Sequence, residues 1–164
     1  PPRLAGSYVC LMPGSTWASK AWPAAHFREL VAKARAEGLD TVLLGAPDEV
    51  ALGAEVAGGE ALNLCGQTSL KEAAAWLRGA RAAVGNDSGL SHLAAACGTP
   101  IVALYGATDP TVSAPWGPRC RALLKEGIPC APCFQPHCTV AGHPCLAGIS
   151  PGEVWNQVQE LLKT

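Results

Sequence analysis

Charge is scarce in this chain. Only 15% of its 164 residues are Asp, Glu, Lys or Arg, and the formal net charge is −1. No basic run is present to neutralise a polyphosphate backbone, which argues against a nucleic-acid surface. No apolar run reaches membrane-spanning length. The opening Pro1-Pro2-Arg3-Leu4-Ala5-Gly6 lacks both an initiator Met and a signal-peptide pattern, so it reads as the start of a piece of a longer protein. Met occurs once and Phe twice beside many Ala and Gly, a bias that fits a GC-rich coding source. Repeats and low-complexity tracts are missing too.

What remains is a globular composition, 49% hydrophobic, of a length that suits one domain with a real core. Strands and helices alternate along it. Apolar runs at 7–12, 41–44, 61–64, 82–85 and 101–105 read as strands, and 122–124 as a short sixth. Helical spacing marks 23–37, with Phe27, Leu30, Val31 and Ala34 on one stripe and Gly38 as its stop. Further helices are expected at 48–57, 69–78, 89–96 and 150–163. Ser69 with Glu72, and Ser150 with Pro151 and Glu153, are helix-start signatures. This order predicts an α/β fold: a parallel sheet with right-handed connections and helices on both faces. Residues 107–148 are rich in Pro, Gly and Cys and are expected to form an irregular excursion.

Three strand-to-helix turns carry polar groups, and they should lie side by side at the carboxyl edge of the sheet, where such folds bind ligands. The first, Pro13–Pro23, holds Ser15, Thr16 and Lys20. Hydroxyls and an ammonium suit a phosphate or sugar diphosphate, although a solvated turn with an exposed Lys fits as well. Its glycine spacing is not that of a Walker loop. The second turn, Gly45–Glu49, offers Asp48 and Glu49 either to ribose hydroxyls or to a helix start. The third is Asn86-Asp87-Ser88-Gly89, with His92 one turn on. The backbone N–H groups of Ser88, Gly89 and Leu90 at a helix N-terminus favour an anion, and Gly89 has no Cβ to keep a ligand away. This turn has more polar groups than an N-cap requires.

Eight cysteines are many for a cytosolic domain. Cys10, Cys65 and Cys97 sit in or beside apolar segments and read as small buried hydrophobes. Cys130, Cys133, Cys138 and Cys145, interleaved with His137 and His143, have the ingredients of a tetrahedral zinc site. Their spacing matches no standard zinc finger or ribbon. Two disulfides or reduced thiols under a loop are the rivals, and the expectation is a metal-free cluster.

The run GNDSGLSHLAAACGTPIVALYGATDP closely resembles the most characteristic segment of the ADP-heptose:lipopolysaccharide heptosyltransferases, glycosyltransferase family nine. MPGSTWASKAWPAAHFRELV resembles the segment that opens the C-terminal half of those enzymes, and CAPCFQPHCTVAGHPCL is similar to the cysteine-rich tail of heptosyltransferase II-like members. The resemblance covers nearly the whole chain in the right order. It implies a GT-B enzyme of two Rossmann-like domains, of which residues 1–164 would be the donor-binding one, a three-layer αβα sheet. The acceptor-binding N-terminal domain, with the general base, would lie outside this chain, so the chain alone should be inactive and its catalytic residues are unknown. The resemblance places Ser15, Thr16 and Lys20 at the donor phosphates, Glu49 at the ribose, Thr68 where backbone meets adenine, and Asp87, Ser88, Gly89 and His92 at diphosphate and heptose. Ser88 stands where Thr is commoner and keeps the hydroxyl. It also implies ADP-heptose as donor, a lipopolysaccharide-core acceptor and no required cofactor. A bacterial cytoplasmic location follows, at the inner face of the inner membrane through the full-length enzyme. No DxD pair is present to hold a metal diphosphate.

Overall fold

The computed structural model describes residue 4 and residues 6–163. Most of the opening segment, Pro1, Pro2, Arg3 and Ala5, lies outside the described residues, as does Thr164. Six strands make one sheet: β1 (Tyr8–Met12), β2 (Asp40–Leu43), β3 (Leu62–Asn63), β4 (Ala82–Asn86), β5 (Ile101–Tyr105) and β6 (Cys120–Leu124). Every pairing is parallel, in the order β3-β2-β1-β4-β5-β6. The chain runs outward from β1 to β3, then returns to β1's other side as β4. The seam between β1 and β4 is therefore a topological switch point, the place where doubly wound sheets open a crevice.

Among the described residues seven α-helices flank the sheet: α1 (Ala24–Ala36), α2 (Val50–Ala57), α3 (Leu70–Gly79), α4 (Gly89–Ala96), α5 (Pro110–Ser113), α6 (Pro144–Ala147) and α7 (Pro151–Leu162). Strand side chains alternate between two apolar layers, as a period of two requires. Val9 and Leu11 of β1 join Val84, Val102 and Leu104 in one layer, under Phe27, Leu30 and Val31 of α1 and Val154, Trp155 and Val158 of α7. Cys10 and Met12 join Ala83, Ile101 and Ala103 in the other, with Leu77 of α3 and Ala94 of α4. Burial on both faces explains why β4 and β5 read as unbroken apolar runs.

The expected helix starts are present. Ser69 and Glu72 form a reciprocal capping box, with Ser69 N–H to Glu72 Oε2 at 2.8 Å and Glu72 N–H to Ser69 Oγ at 3.3 Å. Ser150 and Glu153 repeat it at α7, at 2.7 and 3.2 Å. Three expectations need correction. The helix expected from Asp48 begins at Val50, because Pro47–Glu49 winds more tightly as a 3-10 turn. The strand expected at 61–64 pairs only at Leu62–Asn63. The sixth strand starts two residues early, at Cys120, where backbone pairing to β5 extends it although most of its side chains face solvent. The excursion at 107–148 accordingly contains α5, β6 and α6; its longest stretch without helix or strand is 125–143. Cys10 and Cys65 are buried as expected, while Cys97 is half-buried.

Candidate functional site

The carboxyl ends of β1, β2 and β4 open into one cleft of about 690 Å³. The turn after β1 contributes Gly14, Ser15 and Thr16; the turn after β2 contributes Gly45, Ala46 and Glu49. The start of α3 adds Thr68, and the start of α4 adds Ser88, Gly89 and His92. Asp48 does not line it. One end of the cleft is therefore polar. The other is an apolar slot between two helices, Leu70 and Ala73 of α3 facing Leu93 and Ala96 of α4. These apolar residues are missing from the site expected on sequence. Leu70 is a large apolar side chain 70% exposed at a helix start, which the structure shows and the sequence does not.

Ser88 is extended (φ −152°) and its hydroxyl caps nothing. The first amides of α4 have no intrahelical acceptors, so they are free to meet an anion at the positive end of the helix. A Cβ added to Gly89 would meet no atom within 4 Å. The space over that residue is open cleft.

Glu49 is held by its own turn. Its Oε2 accepts the Ala46 N–H at 2.7 Å. The carboxylate occupies the place a side chain would take on Gly14, where an added Cβ would fall 1.8–2.1 Å from its carboxyl atoms. A Cβ on Gly45 would come within 2.6 Å of Oε2. Two glycines thus seat this acid in the cleft wall. Nearby Cys65 has its thiol pKa pushed up to about 11, first by burial and then by the Glu49 charge.

Lys20 and Asp87 do not line the cleft. They pair with each other beside it, Nζ to Oδ2 at 2.9 Å, with side chains 16% and 8% exposed. Thr108 Oγ1 donates to the same Oδ2 at 2.7 Å, and the Trp17 ring lies 4.7 Å from the Lys20 ammonium. The resemblance implies Asp87 at diphosphate and heptose; within the protein its carboxylate is met by the side chains of Lys20 and Thr108. The Tyr105 hydroxyl is 3.5 Å from Asp87 Oδ1 and 2.9 Å from Ser113 O. A phenol has one proton, and the shorter contact takes it. Burial, followed by the Asp87 charge, raises the Tyr105 pKa and keeps the phenol protonated.

The cysteine-rich excursion braces this site. Ser19 is buried within the 3-10 turn Ala18–Lys20. Its N–H donates to Pro136 O at 3.1 Å, its hydroxyl donates to Gln135 O, and its carbonyl accepts from His143 Nε2 at 2.9 Å. Phe134 N–H donates to Ala107 O at 2.7 Å. All eight cysteines are free thiols. Among the described residues, no group of three or more His, Cys, Asp or Glu side chains is arranged to hold a metal ion.

A 3-2-1-4-5-6 parallel sheet with a polar cleft at its switch point is a Rossmann-like ligand-binding fold. Residues 3–143 match the family model of glycosyltransferase family 9 (heptosyltransferase), and the chain belongs to that family. It is 37% identical over 134 residues to lipopolysaccharide heptosyltransferase 1 of Pseudomonas aeruginosa, covering 80% of this chain and 38% of that protein. Among solved structures it superposes on ADP-heptose heptosyltransferase II of E. coli with a TM-score of 0.82 and 30% identity, covering 96% of this chain and 46% of the other. An E. coli heptosyltransferase solved with ADP gives a TM-score of 0.75 at 29% identity, covering 96% and 45%. The chain spans less than half the length of each of these three proteins.

Proposed function

We propose that this chain is the donor-binding half of a heptosyltransferase that takes ADP-heptose and delivers heptose to the inner core of lipopolysaccharide. The observation that carries the reading is the cleft itself. It joins an anion-ready helix end, two hydroxyls and a seated acid to an apolar slot, whose Leu and Ala side chains suit the faces of a nucleobase. The Ser15 and Thr16 hydroxyls, the Lys20 ammonium and the amides of Ser88 and Gly89 receive the diphosphate. Glu49 accepts from the ribose hydroxyls, and the adenine enters the slot past the Thr68 backbone. His92 and Asp87 stand on the heptose side.

The transfer is an inverting displacement. An acceptor hydroxyl oxygen bonds to the anomeric carbon as the bond to the β-phosphate oxygen breaks. ADP leaves with that electron pair, and the acceptor proton passes to a base outside these residues. Departure of ADP places charge on the diphosphate, and preorganised amides and a lysine stabilise it. Alone, the 164 residues bind donor but transfer nothing, because acceptor and base must be held in register with it. No helix among the described residues is long and apolar enough to cross a membrane. The whole enzyme acts in the bacterial cytoplasm, at the inner face of the inner membrane. Calorimetry with ADP, UDP and GDP tests the reading: selective binding of ADP supports it, and equal or absent binding contradicts it.

A further inference from the structure

Asn86 is fully buried at the carboxyl end of β4, in an otherwise apolar strand. Its side chain does not face the cleft. It crosses instead to both ends of the turn after β1. Oδ1 accepts the Trp22 N–H at 3.0 Å. Nδ2 donates to Pro13 O at 2.8 Å and lies 3.4 Å from Gly14 O. Between those ends lie Ser15, Thr16 and Lys20. The Trp22 end has a second anchor, Nε1–H to Ile149 O at 3.0 Å, and packs edge-on against Phe27. Neither tie reaches the Pro13 end.

We infer that Asn86 is a positioning residue for donor binding: its one amide holds the turn of residues 13–22 in register with the α4 N-terminus. The inference rests on the donor site proposed above. The chemistry is particular to an amide. One end must accept a backbone N–H while the other donates to a backbone carbonyl, and an uncharged amide does both at fixed geometry whatever the pH, whereas a carboxyl does so only when protonated. An ionised carboxylate keeps the acceptor and turns its other oxygen against two carbonyls. An apolar replacement strands the buried Trp22 N–H and Pro13 carbonyl. Asn86 is also two residues before Ser88, so any slack in the clamp alters the spacing between the hydroxyls of one turn and the amides of the next. Charged or titratable groups around it are the Lys20–Asp87 pair, Glu49 over Gly14, and His26 against Trp22.

The test uses the near-isosteric Asn86→Asp in the 164-residue chain, read by ADP calorimetry and by amide hydrogen exchange. At about pH 8 the variant should bind ADP about tenfold more weakly than wild type. Exchange protection should be lost at Trp22 while β5 and α7 keep theirs. On acidification the introduced carboxyl, whose pKa burial and the facing carbonyls raise, gains a proton and can donate again, so the variant-to-wild-type affinity ratio should return towards one. A purely structural role would instead loosen the whole sheet with no recovery at low pH, and that result overturns the inference. So do unchanged ADP affinity and unchanged Trp22 exchange. If wild type binds no ADP, the donor reading fails on its own. Trp22 exchange then decides the clamp: release in the variant supports it, and equal protection in both overturns it. Asn86→Ala, which leaves the Trp22 N–H without an acceptor, carries the same exchange test if the carboxylate variant does not fold.

Discussion

The Lys20 ammonium lies 2.9 Å from the Asp87 carboxylate, across the seam where β1 and β4 meet. Each residue comes from a different turn, so the pair ties the two turns together beside the cleft. Thr108 completes the carboxylate's partners at 2.7 Å. A lysine has three protons to give. One is spent on Asp87, which leaves two for the phosphate oxygen of the proposed donor. The pairing answers the Asp87 charge, which would let this acid stand beside the proposed diphosphate.

Removing the lysine should therefore act twice. Lys20→Ala loses a charge-assisted contact to the diphosphate, worth roughly 1.5–3 kcal/mol of ADP affinity. It also leaves Asp87 buried without its counter-ion, which lowers stability. Asp87→Asn should weaken ADP less, by letting Lys20 wander. Because the residues share one interaction, the double variant should lose less affinity than the two single losses added together. Calorimetry of the three variants checks this. Wild-type affinity in Lys20→Ala would remove Lys20 from the site.

Gly14 and Gly89 should separate packing from binding. In Gly14→Ala the new methyl takes the place of the Glu49 carboxylate. Glu49 is a flexible side chain and can swing away, so the fold should survive with little change in Tm. Nucleotide affinity should fall because the acid leaves the cleft wall. In Gly89→Ala the methyl meets no protein atom and fills space over the α4 amides instead. That variant should melt like wild type and bind ADP poorly. Full ADP binding by both variants would show that the cleft is not the nucleotide site.

Much of this architecture was legible in the chain. Gly89–Ala96 and Ile101–Tyr105 fall where periodicity put them, because both are bounded by unambiguous turn residues. The cleft's polar half was legible for the same reason: Ser15, Thr16, Glu49 and Ser88 all lie in turns whose place at the sheet edge follows from the βα order. The contacts between distant segments were not. Nothing local in Ser19 announces that Gln135, Pro136 and His143 will take up all its polar groups. Nor does Leu70 show in sequence that it will face Leu93 across a slot. The edge strand Cys120–Leu124 began earlier than expected because backbone pairing, not apolar patterning, sets its length.

The cap of α7 should show itself in acid. Glu153 is held below the ordinary carboxylate range, chiefly by the Ser150 backbone N–H it accepts and then by the Ser150 hydroxyl. A depressed folded-state pKa adds stability that is complete above the unfolded value, about 4.3 for Glu, and fades as pH falls through the folded one. Ser150→Ala removes the other half of the box, costs about 1 kcal/mol and should lower Tm by about 2–4 °C at neutral pH. The Tm gap between wild type and Glu153→Ala should shrink on acidification towards about pH 3. A gap that stays constant across that range would contradict the cap's electrostatic part.

Backbone amide resonances followed while ADP is added show whether this cleft binds the donor nucleotide. Saturable shifts are expected at Gly14–Thr16, Gly45–Glu49 and Ser88–Leu90, with Thr68 and Leu70 moving as the base enters the slot. Shifts that never saturate, or that gather away from these turns, around Tyr8 and Trp76 on the far side of α3 for example, would contradict binding there.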